Sequence, residues 1–181
     1  MHAQTTELLA HLDDGRTDLL AVVDAVPESD RARAPAAGRW SLANLLSHLA
    51  RTEGQIGAFL QRRLRQALSD GDLPELPPGA ASAVASFDAA TVLDRSQRIE
   101  APDFAAPDLA MPFAEARSQL DRARQRLQQV VLAADGKDVA AIRERHFVFG
   151  ELTFYQWVAF AGFHERRHTE QAREVVEALR K

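Results

Sequence analysis

The chain has 181 residues, 46% of them hydrophobic and 27% charged, with a net charge of −4 and no cysteine. This size and balance suit one soluble globular domain spanning 1–181 and able to bury a core. No basic stripe favours nucleic acid, and the lack of cysteine excludes disulfides, thiolate metal sites and a cysteine nucleophile. Met1-His2-Ala3-Gln4-Thr5-Thr6-Glu7 has neither the basic nor the apolar region of a secretion signal, and no apolar run approaches membrane-spanning length. A cytoplasmic location with a small-molecule partner, and neither nucleic acid nor membrane, is the expectation.

The first helix is predicted from about Thr5 to Val26. Leu8, Leu9, Leu12, Leu19, Leu20, Val23 and Val26 recur at steps of three and four, and Pro27 closes the run. The second begins after Ser41, a good N-cap, and continues to about Leu68. Trp40 is placed to pack on Leu45 and so set the angle at which the helix starts. From about residue 70 to 112 the chain is rich in Pro, Ala and Asp, and Pro74, Pro77, Pro78, Pro102, Pro107 and Pro112 exclude a long helix. An irregular crossover is expected there, with room for a short helix near Ser86–Arg95. A third helix is predicted from Phe113 to Ala133 and a fourth from about Thr153 to Arg180. The fourth opens on a capping box, Thr153 with Gln156, and a staple of Leu152 on Trp157. No strand-like alternation of useful length competes, so the fold class is all-α: a four-helix bundle with a long Pro/Ala-rich crossover between helices two and three.

Within the fourth helix, Trp157, Ala161, His164, His168, Ala172, Val175 and Leu179 form a stripe in which two histidines one turn apart interrupt apolar residues. On the second helix, Leu42, Leu46, Leu49, Glu53, Ile56 and Leu60 define the buried seam, with His48 beside it. One histidine from one helix and two from another can offer three nitrogen ligands from facing walls. Such a donor set suits Zn²⁺, Ni²⁺, Fe²⁺ or Co²⁺ and leaves a coordination position open. The plainer alternative is hydrogen-bonded core histidines. Glu53 is a candidate proton acceptor or ligand-orienting carboxylate, or else a partner for Arg63 or a group at a wet edge of the bundle. Arg166 and Arg167 read as a solvated face, His2 and His11 as structural or exposed, His146 as a rim group outside the metal set, and both tryptophans as staple and core residues.

Three stretches together resemble the DinB-like superfamily: Gly38-Arg39-Trp40-Ser41-Leu42 leading to Ser47-His48-Leu49; Phe149-Gly150-Glu151-Leu152-Thr153-Phe154-Tyr155-Gln156-Trp157; and His164-Glu165-Arg166-Arg167-His168-Thr169-Glu170-Gln171. That superfamily of metal-binding four-helix bundles includes the bacillithiol S-transferase-like proteins and the N-terminal part of mycothiol-dependent maleylpyruvate isomerase. The resemblance implies that His48, His164 and His168 bind a divalent metal and that a low-molecular-weight thiol serves as cosubstrate. A metal-dependent thiol S-transferase or isomerase is therefore the leading expectation. A metal-dependent hydrolase and a non-catalytic bundle are the alternatives, and a homodimer is an open expectation.

Overall fold

In the computed structural model, which describes residues 1–71, 73–96 and 99–180, three of the four long helices start at a side-chain cap. Helix α1 (Ala3–Asp24) is capped by the His2 ring, which accepts a hydrogen bond from the Gln4 backbone nitrogen. Helix α2 (Leu42–Asp70) has Ser41 as N-cap, and the Asn44 side chain returns to the Ser41 backbone to complete a capping box. These local bonds satisfy donors that the first helical turn leaves without partners.

The crossover that follows is irregular, with one short helix, α3 (Ala90–Leu93), and one 3₁₀ turn at Asp103–Ala105. Its expected short helix is thus a single turn, and residues 72, 97 and 98 of the crossover lie outside the described residues. Helix α4 (Phe113–Ala133) follows Pro112, and helix α5 (Phe154–Leu179) opens on the Thr153–Gln156 capping box.

One element was not expected. Strand β1 (Arg143–His146) pairs antiparallel with β2 (Gly150–Thr153), placing Arg143 opposite Thr153 and His146 opposite Gly150. The short connection ends at Gly150, whose φ of 72° is a left-handed conformation that glycine adopts freely. The hairpin delivers the chain directly into α5. The fold is mostly helical, with this small sheet at the start of the last helix.

In the bundle, α2 lies along α4 and α1 along α5, and α2–α5 and α1–α4 contacts close the ring. Its interior divides into two apolar clusters. One holds Leu8 and Leu12 of α1, Ile56 and Leu60 of α2, Leu127 of α4 and Trp157 to Ala161 of α5. The other holds Leu19 and Val23, Leu42, Leu45, Leu46, Leu49 and Ala50, Leu120, and Ala172 and Val175. Between them each helix contributes one buried charge: Arg16, Glu53, Arg124 and Glu165. Arg16 Nε is 2.6 Å from Glu165 Oε1 and its terminal nitrogen 3.0 Å from Glu53 Oε2. Arg124 bonds both Glu53 oxygens and lies 2.6 Å from Glu165 Oε2, while also donating to the Leu12 carbonyl. Every carboxylate oxygen of the quartet has a guanidinium partner and its formal charges cancel, which is what allows such groups to be buried. Burial opposes the Arg124 charge, but Glu53 and Glu165 outweigh it and raise the arginine's pKa.

Candidate metal centre

His48 projects from the second turn of α2, and His164 and His168 stand one turn apart on α5. Each offers a nitrogen such that all three lie within 4.8 Å of one another. His164 Nε2 is 3.3 Å from His48 Nε2 and 3.2 Å from His168 Nε2. The outer nitrogens of two rings are fixed. His48 Nδ1 lies 2.7 Å from the Ala105 carbonyl oxygen of the crossover, and His168 Nδ1 lies 2.8 Å from Gln171 Oε1. Both oxygens only accept, so each Nδ1 carries the ring proton and each Nε2 keeps its lone pair pointed at the common centre.

Lone pairs this close repel one another unless a proton or a cation lies between them. Burial lowers the pKa of His48 and drives those of His164 and His168 well below the usual value, the latter two helped by neighbouring histidines. Neutral imidazole, the ligand form, is therefore favoured over protonation. Zinc–nitrogen bonds of ~2.0–2.1 Å at tetrahedral angles put ligand nitrogens ~3.3–3.4 Å apart. The two separations from His164 fit a divalent ion held by the three rings, with hydrogen bonds behind two of them that orient the ligands.

The centre opens on a cavity of about 980 Å³. Trp40, Phe59, Phe149, Trp157 and Phe160 supply aromatic wall, and crossover residues 99–102 and 104–107 and hairpin residues 144–149 complete the lining. Both tryptophans thus line the cavity as well as serving the core. The Trp40 ring stacks 6.3 Å from that of His168 and tilts 5.1 Å from that of His48, and Trp157 Nε1 donates to the Glu144 carbonyl.

Other residues singled out in the sequence fall elsewhere. Glu53 is not in the cavity wall; its carboxylate is bound by Arg16 and Arg124, while Arg63 pairs with Glu144 at 2.7 Å. Burial pushes the Glu53 carboxyl up while Arg124 and Arg16 pull it down, and the ion pairs hold it apart from the cavity. Arg167 is no simple solvated group. It lines the cavity and donates to the Val92 and Asp94 carbonyls, whereas Arg166 lies over the Phe163 ring. His11 is buried with Nε2 3.0 Å from the Ala159 carbonyl, and His2 caps α1.

His146 is buried in the cavity wall at the end of β1, not in a loop rim. Glu165 and Gln171 stand in the third motif of the resemblance, which gives neither a role of its own. Glu165 follows Ala161 by four and precedes His168 by three, the spacing of a buried position, and Gln171 is one turn past His168.

A helical bundle whose inward histidines converge from two helices on an open cavity belongs to the class of proteins built around a candidate divalent-metal centre. The chain belongs to the DinB superfamily, whose family model matches residues 11–172. It is similar to the uncharacterized protein YuaE of Bacillus subtilis (strain 168), with 28% identity over 148 residues covering 80% of this chain and 82% of that one. Among solved structures it resembles TT2238, described as a four-helix bundle protein, with a TM-score of 0.60 and 23% identity, covering 93% of this chain and 96% of the other. An uncharacterised protein from Escherichia coli UTI89 matches with a TM-score of 0.57 and 12% identity over 99% and 96% of the two chains. These structural likenesses establish the bundle. No helix among the described residues is long and apolar enough to cross a membrane.

Proposed function

We propose that this protein is a divalent-metal-dependent enzyme that transfers a low-molecular-weight thiol, or isomerises with its help, at the centre formed by His48, His164 and His168. The observation that carries the reading is the convergence of three imidazole nitrogens, 3.2 and 3.3 Å apart across His164, on the wall of a cavity with room for a small molecule. A bound Zn²⁺, Ni²⁺ or Fe²⁺ would supply Lewis acidity, lowering the pKa of a coordinating thiol so that sulfur becomes nucleophilic at neutral pH.

The chain's own groups favour thiol over water as nucleophile. Activating water is helped by a free base, yet Glu144 and Glu174 in the cavity wall are paired with Arg63 and Arg95, and Glu53 is held in the quartet. That leaves the exposed Glu100 of the crossover as the unpaired carboxylate of that wall among the described residues. A thiol ionises more readily and depends less on such a base. With no cysteine in the chain, the sulfur must arrive as cosubstrate. Ala105 and Gln171 hold the rings in position, and the aromatic wall excludes water from the electrophile.

The test is metal content by elemental mass spectrometry on untagged protein purified without chelator or nickel resin, with His48→Ala and His164→Ala alongside. About one divalent ion per chain, lost in both variants, is expected for a three-ligand site. Turnover that appears only with an added low-molecular-weight thiol separates transferase from hydrolase. Stoichiometric metal retained in His48→Ala would overturn the three-histidine site.

A further inference from the structure

His146 is 6% exposed and sits among Phe147, Phe149, Trp157 and Phe160, with ring centroids 4.6 to 5.2 Å away. Its Nδ1 lies 3.0 Å from the Val148 backbone nitrogen and 3.3 Å from that of Phe149. Backbone N–H groups only donate, so Nδ1 is the bare nitrogen of the neutral ring and the proton resides on Nε2. The hairpin turn therefore sets the tautomer.

The Nε2–H group so defined has no hydrogen-bond partner among the described residues, although the ring lines the cavity. Nor is it one of the unpartnered side-chain atoms sealed away from open space. Buried donors normally find an acceptor, so this one points to an acceptor carried by whatever fills the cavity. The ring is close to the histidine centre. Phe160 touches both sides, its centroid 4.7 Å from that of His146 and 5.3 Å from that of His164.

We propose that His146 binds substrate, its Nε2–H donating to a carbonyl oxygen of an aromatic or similarly flat apolar molecule beside the three-histidine centre. The inference rests on reading the cavity as a substrate site, and the donor itself needs no metal. Burial among rings lowers the His146 pKa to about 4, so at neutral pH the group polarises an oxygen without surrendering a proton. Of the guanidiniums that line the cavity, Arg95 is engaged by Glu174 and the Arg167 carbonyl and Arg167 by the carbonyls of Val92 and Asp94, while Arg39 and Arg145 are exposed. A neutral carbonyl on an apolar frame matches the aromatic rings around His146 better than a multiply charged ligand does.

The experiment has two arms. In ¹⁵N-histidine-labelled wild-type protein, long-range proton–nitrogen NMR should show His146 with a bare Nδ1 and a protonated Nε2; the opposite tautomer overturns the proposal. Binding of acetophenone and of ethylbenzene, which lacks the carbonyl, is then titrated into wild type and His146→Phe, each with zinc and with chelator. Wild type should prefer acetophenone by about 3- to 10-fold, the range of one neutral hydrogen bond, and His146→Phe should lose the preference. A preference that survives in the variant, one that exists only with zinc, or no acetophenone binding by wild type overturns it. Should the metal analysis fail while the tautomer and the preference hold, only the metal reading falls.

Discussion

Replacing Glu165 by Gln should destabilise the bundle by about 3–5 kcal/mol, the cost of removing one partner from a buried ion pair. Glu165 is 1% exposed and accepts from Arg16 Nε and Arg124 at 2.6 Å each. Gln preserves its shape, but two guanidiniums then face the single carboxylate of Glu53 between two apolar clusters. The amide NH₂ also has to face donors where an oxygen stood. At ~2–4 °C per kcal/mol for a chain of this size, the melting midpoint should fall by roughly 6–20 °C. Chemical denaturation followed by far-ultraviolet circular dichroism at pH 7 in chelator measures the loss without a metal contribution. The fourfold variant Arg16→Met, Glu53→Leu, Arg124→Met, Glu165→Leu should be far milder than the single change, because no charge is left unpaired. A loss below about 1 kcal/mol for Glu165→Gln, the scale of an exposed pair, would refute the argument.

Gly162→Ala should cost about 1–3 kcal/mol by overpacking, since its new Cβ would collide with the His11 ring. In the His11→Ala background the same change should cost much less, and denaturant titration of the four proteins checks the coupling. Metal-free protein should lose stability as the pH falls below about 6.5. Burial depresses the pKa of His11, His48, His146, His164 and His168, so the unfolded chain takes up protons first. For His146 the window runs from 6.5 to about 4, worth at most about 3 kcal/mol; His146→Phe should flatten that part of a pH series of unfolding curves, and an unchanged slope would contradict it. Ser41→Ala should cost about 1 kcal/mol, as a lost N-cap does, measured by the shift of the denaturation midpoint.

The helices were legible because their signals are local. Ser41, the Thr153–Gln156 box and Pro112 mark starts within a residue or two of those observed. The juxtaposition of His48 with His164 and His168 followed from periodicity and from the motifs of the resemblance. The hairpin was not legible, because Arg143-Glu144-Arg145-His146 is four residues long and lacks apolar alternation. The charged quartet was hidden differently. Arg16, Arg124 and Glu165 are types that usually face solvent, and what identifies them is a pattern across helices. Arg16 follows Leu12 by four and precedes Leu19 by three; Glu53 stands so between Leu49 and Ile56, and Arg124 between Leu120 and Leu127. Treating Glu53 alone left its partners unseen, and with them the reason it stays away from the cavity. His146 read only as a rim group, because its tautomer depends on backbone donors two and three residues ahead.

The hydrogen bond from His48 to Ala105 joins the metal-centre candidate to a main-chain oxygen, a group every amino acid possesses. The link across 57 positions of sequence is therefore indifferent to the side chain that follows it. Ala105 itself is buried, but exposed neighbours in the 3₁₀ turn such as Phe104 can be exchanged, altering the cavity wall, while the imidazole stays aimed as before. The shape of the cavity wall and the orientation of the imidazole are thereby written in different chemical alphabets, and the first can change through the least regular segment without disturbing the second.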